Sequence, residues 1–196
     1  GNVGARVFGE PVDGLTYDGE FNYQFGDNNT RDHRAWAWAA HVQYVHKKGK
    51  KVKPGGKVGY AMASGEACVN APGDPGGCGA ADSNEFFNFF PTNHMHYGYV
   101  DLMGWRNMRD LEVQAFLAIP NVAKKIGVKY HFFQLQEAAG RWSNAGGANV
   151  GVGWDDTNTD NNLGHEIDIF AVLKPFEALF IQPGYGVFIP TGAGKT

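Results

Sequence analysis

Apolar and polar residues alternate along most of this chain with a period of two. In residues 15–25 the apolar positions are Leu15, Tyr17, Phe21, Tyr23 and Phe25. A period of two is that of a β-strand whose two faces meet different surroundings. The same alternation recurs in later segments, and together these segments predict about eight strands. They lie near 2–11, 14–26, 33–47, 56–66, 108–119, 125–137, 163–174 and 178–189.

The predicted connections alternate between short turns and longer loops. Turns are predicted at 13–14, 48–56, 120–125 and 175–177, and loops at 27–32, 67–107 and 138–162. Strands joined in this way are typical of outer-membrane barrels, whose turns and loops lie on opposite sides of the membrane. The chain is therefore predicted to be all-β, an antiparallel transmembrane β-barrel forming one segment over residues 1–196.

The two faces of the predicted strands favour the same fold. The polar face includes charges of both signs, which a dry core excludes unless they are paired and a water-filled or plugged lumen accepts. The apolar face is then expected to point outward. Trp36, Trp38 and Tyr44 share that face and would form an interfacial aromatic girdle. Packing of these rings in the core of a soluble sheet is the alternative.

Composition alone does not separate a barrel from a soluble domain. The 196 residues are 43% hydrophobic and 14% aromatic, with 28 glycines. No apolar run reaches the roughly 20 residues of a membrane-spanning helix. The net charge of -3 argues against a nucleic-acid partner. The sequence begins and ends close to predicted strands, so we expect further strands in a longer barrel.

The two cysteines, Cys68 and Cys78, fall in one stretch rich in glycine, proline and aspartate. A pair in one loop predicts a disulfide formed in an oxidising compartment. Two free thiols in a flexible loop are the alternative.

Several polar groups are candidates for metal or catalytic sites. His94 and His96 could ligate a metal, but an inward-folded loop explains them more simply. Oxygen ligands in the 155–162 loop give a weak calcium hypothesis; they include Asp155, Asp156 and Asp160. These runs are usually solvated loop tips. The carboxylates of Glu166 and Asp168 share a face, but no partner for glycosidase chemistry is fixed. No cofactor and no enzymatic activity are predicted.

Charged residues on the polar face, or at loop bases, are the candidates for a solute path. A lumen that sets Arg and Lys against Glu and Asp can pass or bind anionic and hydroxylated solutes. The predicted lumen residues are Arg34, Arg106, Arg109, Lys129, His131, Arg141, Glu112, Glu166 and Asp168. Mutual pairing that only holds the lumen together is the alternative. The 67–107 loop would fold over or into the pore as a gate, with Phe89, Phe90, His94 and His96 as its residues.

Three stretches resemble the alginate-export family of outer-membrane β-barrels. They are Asn88-Phe89-Phe90-Pro91-Thr92-Asn93-His94 continuing to Asn107, Leu163-Gly164-His165-Glu166-Ile167-Asp168, and Pro183-Gly184-Tyr185-Gly186-Val187-Phe188-Ile189-Pro190. The resemblance implies a barrel in which anionic polysaccharide crosses the outer membrane through a basic lumen. This chain is similar to the later part of such a barrel, which is larger, and it lacks a C-terminal aromatic residue.

These observations predict a porin-like or exporter-like channel for hydrophilic, anionic solutes of the polysaccharide type. Its expected location is the bacterial outer membrane, with lipid and solute as partners. Two alternatives stay open. One is an envelope scaffold or anchor barrel that works with other envelope subunits, and the other is a soluble β-sandwich that binds carbohydrate.

Overall fold

A computed structural model describes residues 1–28, 31–48, 51–68, 83–92, 96–120 and 123–195, which form one antiparallel sheet. Its strands are β1 (Asn2–Val12), β2 (Leu15–Asn28), β3 (Arg31–Val45), β4 (Lys53–Ala63), β5 (Met108–Ile119), β6 (Ala123–Leu135), β7 (Asn162–Phe176), β8 (Leu179–Ile181) and β9 (Gly184–Pro190). Each strand from β1 to β7 pairs with the next. In the described residues the sheet is open, with β1 at one edge and β8 and β9 at the other. The described helix is a short 3₁₀ turn, Gly192–Lys195, and no described helix is long and apolar enough to cross a membrane.

The last predicted strand is present but interrupted. Both β8 and β9 pair with β7, where Ile181 lies opposite Leu173 and Gly184 lies opposite Phe170. Pro183, between the two strands, has no backbone N–H to donate to the ladder. Its carbonyl oxygen still accepts the Ala171 N–H at 3.0 Å. The predicted segment 178–189 therefore follows one path along β7 with a break at residues 182–183.

The predicted facing of the strands is confirmed. Apolar side chains of one face remain exposed, among them Phe21 (48%), Val113 (43%), Leu117 (45%), Val128 (46%), Ile167 (43%), Ile169 (60%), Leu179 (37%) and Ile181 (45%). We call this the outer face. Charged side chains of the opposite, inner face are buried, including Glu112, Lys129, Glu166 and Asp168. A soluble sandwich would cover its apolar face with a second sheet, and no such sheet is present among the described residues.

The two ends of the sheet differ in their connections. The long connections, 64–107 and 136–161, leave the same end, which we call the loop end. The connections at the opposite turn end are shorter, at 13–14, 46–52, 120–122 and 177–178. The predicted loop at 27–32 is wrong, because strand pairing continues to Asn28 opposite Arg31. The strict alternation of turn and loop therefore fails at the β2–β3 connection.

Both long connections fold onto the inner face. A hydrophobic cluster there joins Phe86 and Met103 of the first loop and Trp142 of the second to Phe133 of β6. Alanines of β3 and β4, at positions 35, 37, 61 and 63, face the same cluster. Small side chains at these positions leave space for the loop residues. The loop end of the inner face is thus filled by the chain itself.

Asn107 ties the two long connections together. Its side chain is fully buried, and its Nδ2 donates to the carbonyl oxygens of Glu137 at 3.1 Å and Arg141 at 2.9 Å. Its Oδ1 accepts the Glu137 N–H at 2.8 Å. The φ angle of Asn107 is +43°, a conformation that asparagine tolerates better than most residues. One side chain therefore fixes both loops at the start of β5.

Candidate functional site

A large cavity lies on the inner face toward the turn end. Its volume is about 1260 Å³, and residues of β1 through β7 and of β9 line it. We call it the basic cavity. Its charged lining residues are Glu10, Asp18, His41, Lys57, Glu112, Lys125 and Lys129.

Strand register brings these residues together. Paired residues of neighbouring strands share a face, so antiparallel pairing places them in rows across the sheet. One row runs from Gln43 through Lys57 and Gln114 to Lys129. The next row places His41 beside Gly59 and Glu112 beside His131. The polar positions of the alternating strands therefore form a continuous wall.

The carboxylates that line the basic cavity are all paired with cations. Lys57 Nζ lies 2.8 Å from Glu112 Oε2. Asp18 forms an ion pair with Arg6, and Glu10 lies 2.6 Å from Lys47 Nζ. Pairing at these distances offsets the negative charge that the carboxylates would present to a solute.

Two further lysines of the cavity contact uncharged groups, although Asp168 lies opposite Lys129 in the strand register. Lys125 Nζ donates to Gln43 Oε1 at 2.7 Å and lies 4.5 Å from the Phe116 ring centroid. Lys129 Nζ lies 5.1 Å from the ring centroid of Tyr99. In the part of the chain that the structure describes, neither ammonium forms an ion pair with a carboxylate. Because Arg6 and Lys47, from outside the lining, pair with Asp18 and Glu10, and Lys57 pairs with Glu112, these two lysines remain as an excess of positive charge in the lining.

The segment Gly98–Val100 covers two carboxylates of β7. The Val100 N–H donates to Glu166 Oε1 at 2.9 Å, and the Tyr99 N–H donates to Asp168 Oδ1 at 3.4 Å. Gly98 has φ +82°, and a Cβ atom there would lie 2.2 Å from Glu166 Oε1. Glycine is thus required for this approach. Both carboxylates are fully buried beneath the segment.

Tyr99 is seated at the edge of this segment, beside the basic cavity. Its ring lies against Gly184, where an added Cβ would be 2.6 Å from Tyr99 Cε1. Its hydroxyl accepts a hydrogen bond from Gln182 Nε2 at 2.9 Å. The glycines of β9 therefore leave room for the Tyr99 ring, which also contacts Lys129.

His131 and Asp110 form a buried pair next to this segment. His131 Nδ1 lies 2.8 Å from Asp110 Oδ2, and the two side chains are 0% and 3% exposed. The imidazole also stacks on Phe133 with ring centroids 5.0 Å apart. His131 thus lies on the predicted inner face but inside the packed wall, as do Glu166 and Asp168.

The prediction that Arg34 and Arg109 line the lumen is wrong. Arg34 lies opposite Phe25 on the outer face and is 71% exposed, with its guanidinium 3.5 Å from Asp32. Arg109 shares the parity of the exposed Leu111 and lies on the same outer face, and its Nη2 donates to the Gln136 carbonyl at 3.2 Å. Their position near loops suggests the lumen, but strand parity decides the face.

The remaining arginines of the prediction lie in the loops. Arg106 Nε is 3.2 Å from Glu85 Oε1, and its guanidinium lies 5.2 Å from the Phe87 ring centroid. Burial raises the pKa of Glu85, while the charges of Arg106 and Arg141 oppose that rise. These two arginines accordingly neutralise a buried loop carboxylate rather than line the basic cavity.

The predicted gate residues divide between described and undescribed parts. Phe89, Phe90 and His96 line a second inner-face cavity of about 380 Å³. His94 lies outside the described residues. The described parts of the 67–107 loop thus fold onto the inner face, as predicted.

The aspartates of the second loop cap local turns. Asp155 Oδ1 accepts the Thr157 N–H at 2.8 Å and its hydroxyl at 2.6 Å, and these bonds hold the pKa of Asp155 below its usual value. Asp160 Oδ1 accepts the Asn162 N–H at 2.9 Å. Asp156 lies in the adjoining turn. Among the described residues, no group of three or more His, Cys, Asp or Glu is arranged to hold a metal ion. Calcium binding here stays a prediction without a described ligand cluster.

Cys68 is 1% exposed and is not a free thiol. Cys78 lies outside the described residues, so the pairing of the two cysteines stays a prediction.

Sequence reasoning missed Lys57, Lys125 and Tyr99. Lys57 alternates with Val58 and Tyr60, so strand parity could have placed it inside. Lys125 lies where a predicted turn meets a predicted strand, and it shares the parity of Lys129, so the same argument could have placed it inside. No strand pattern signals Tyr99, which reaches the wall from a loop.

The family comparison assigns the chain as a whole. The model of the alginate export family matches residues 2–193. The chain belongs to the alginate export family. The resemblance noted in the three sequence stretches is thereby confirmed, and an open antiparallel sheet with an apolar outer face is consistent with part of such a barrel. No curated protein matches the chain significantly.

Proposed function

We propose that this family member forms the wall and the plug of an outer-membrane β-barrel channel that passes anionic polysaccharide. The observation that supports it best is the excess positive charge of the basic cavity at Lys125 and Lys129. Rings of lysine and arginine are the usual lining of pores for anions. Such a channel works without covalent chemistry and without a cofactor.

The outer face supports the membrane location. Its exposed valine, isoleucine, leucine and aromatic side chains would face lipid, because apolar side chains are more stable against lipid tails than in water. Trp36, Trp38 and Tyr44 lie on this face and fit the proposed interfacial girdle. The proposed partners are therefore outer-membrane lipid and an anionic, hydroxylated solute, with other envelope subunits as a further candidate.

The long loop supports a gating role. Segment 96–107 crosses the inner face and covers Glu166 and Asp168, so it narrows the space that a solute could use. We propose that this segment is a plug, and that its displacement widens the passage beside the basic cavity.

The direct test is ion selectivity in planar bilayers under a KCl gradient. The wild-type channel should prefer chloride, and Lys125→Gln with Lys129→Gln should move the reversal potential toward that of a cation-preferring pore. The shift should shrink as salt rises, because the Debye length falls from about 10 Å at 0.1 M to about 3 Å at 1 M.

Arg34→Gln with Arg109→Gln is the matched control. It also removes two positive charges, but both lie on the outer face, so the reversal potential should stay at the wild-type value. Equal shifts in the two double variants would contradict the proposed path. A protein that inserts but conducts no ions would favour the scaffold hypothesis instead.

A second prediction concerns the loop disulfide. We propose that Cys68 and Cys78 are paired, which in the chain-entropy model stabilises the fold by about 2–3 kcal/mol through closure of a short loop. Peptide mapping without reductant should yield one cross-linked peptide containing both residues, and Cys68→Ala should lower the unfolding midpoint in detergent. Recovery of both cysteines as alkylated monomeric peptides from unreduced protein would overturn the pairing.

A further inference from the structure

The second cavity differs in chemistry from the basic cavity. It lies between the inner face of β1–β3 and the segment 86–92, and the two cavities share Asp18, His41 and Thr92 as lining residues. Its volume of about 380 Å³ falls in the range of small-ligand sites, about 300–1,000 Å³. The guanidinium of Arg6 in its wall is already ion-paired with Asp18.

Two consecutive aromatic residues line this space. Phe89 is 55% exposed and Phe90 is 89% exposed, although both line a cavity on the inner face. Exposed large apolar groups gathered at one place indicate a binding surface more often than scattered ones do. Around them the wall is polar, with the amides of Asn22 and Asn88 and the carboxylate of Glu20.

Hydrogen bonds hold the backbone next to these two rings in place. The fully packed amide of Gln24 donates to the Phe87 carbonyl at 2.7 Å and accepts the Phe87 N–H at 2.9 Å. The Phe87 ring contacts the guanidinium of Arg106 and forms a T-shaped pair with Phe89, whose ring centroid is 5.3 Å away. The backbone is held while the side chains of Phe89 and Phe90 stay exposed. This arrangement pre-orders a stacking surface.

We propose that Phe89 and Phe90 form a stacking platform for the pyranose rings of a polysaccharide, on the loop side of the basic cavity. The apolar C–H face of a sugar ring packs on an aromatic face, while its hydroxyl groups exchange hydrogen bonds with amide and carboxylate groups such as Asn22, Asn88 and Glu20. This proposal rests on the proposed function and deepens it. The platform recognises the sugar ring, and the lysines recognise its charge.

The test uses the purified protein in detergent and the neutral probe maltohexaose. Trp105 lines the cavity, so binding should change the intrinsic fluorescence in a saturable way, and Trp105→Phe should remove most of the change. Phe89→Ala with Phe90→Ala should weaken binding about tenfold, which corresponds to about 1.4 kcal/mol. Phe21→Ala with Phe25→Ala, on the outer face, is the matched control and should bind as the wild type does.

Two results would overturn the platform. One is a wild-type protein with no saturable response to maltohexaose, and the other is an unchanged affinity in the Phe89→Ala, Phe90→Ala variant while circular dichroism confirms folding. Lys125→Gln with Lys129→Gln should retain the affinity for this uncharged probe. Since fluorescence needs no current, sugar binding by a non-conducting protein would contradict only the channel. An anion-selective channel without sugar binding would contradict only the platform.

Discussion

Arginine in place of Val128 is expected to destabilise the membrane-inserted protein by about 2–4 kcal/mol. Val128 is 46% exposed, and its neighbours on the outer face are Ala115 on β5 and Ile169 on β7. At mid-membrane depth a guanidinium in this place loses its water and gains no partner among these apolar side chains. Equilibrium unfolding by urea in lipid vesicles measures the change.

Val12→Arg is the matched control, because it makes the same chemical change at the end of β1, where Val12 is 59% exposed next to a turn. Near the membrane interface the cost of arginine falls to about 0–1 kcal/mol. A similar small cost for both variants would mean that Val128 faces water, and would remove the support that the outer face gives to a membrane location.

The second large effect is expected from Gly98→Ala. The new methyl group would lie 2.2 Å from Glu166 Oε1 and would also strain the backbone at φ +82°, and Glu166 is fully buried. We expect the segment to move away from β7 and to lose the hydrogen bonds from Tyr99 and Val100, each worth about 0.5–1.5 kcal/mol. We expect a higher single-channel conductance and a weaker preference for anions, because two carboxylates would then join Lys129 on the open wall.

Gly147→Ala separates this collision from backbone strain. Gly147 has φ +83°, nearly that of Gly98, but nothing lies within 4 Å of an added Cβ. Both substitutions therefore share a left-handed backbone penalty of about 1–2 kcal/mol. Only Gly98→Ala should raise the conductance and expose the bond after Tyr97 to chymotrypsin. The same conductance in both variants would show that the segment is not the plug.

The strands themselves were largely predictable. A period of two is a local property, and Leu111 to Leu117 or Ile167 to Leu173 display it within a few residues, so both the strands and their faces followed from the sequence. Arg34 and Arg109 show what happens when parity is set aside for proximity to a loop. Lys125 shares the parity of Lys129, so alternation alone places it on the inner face, although it lies at the boundary of a predicted turn.

The sequence by itself determined the strands, the apolar outer face, the family and the inward folding of the long loop. These features follow from alternation and from motifs, both of which are properties of residues close together in the sequence. The tertiary structure decided which charges cancel and which remain. Glu112 meets Lys57 across 55 positions of sequence, and Asp168 meets the Tyr99 amide across 69. Such distances depend on strand register and on where a loop settles, so only the folded chain distinguishes Lys125 and Lys129 from the other basic residues.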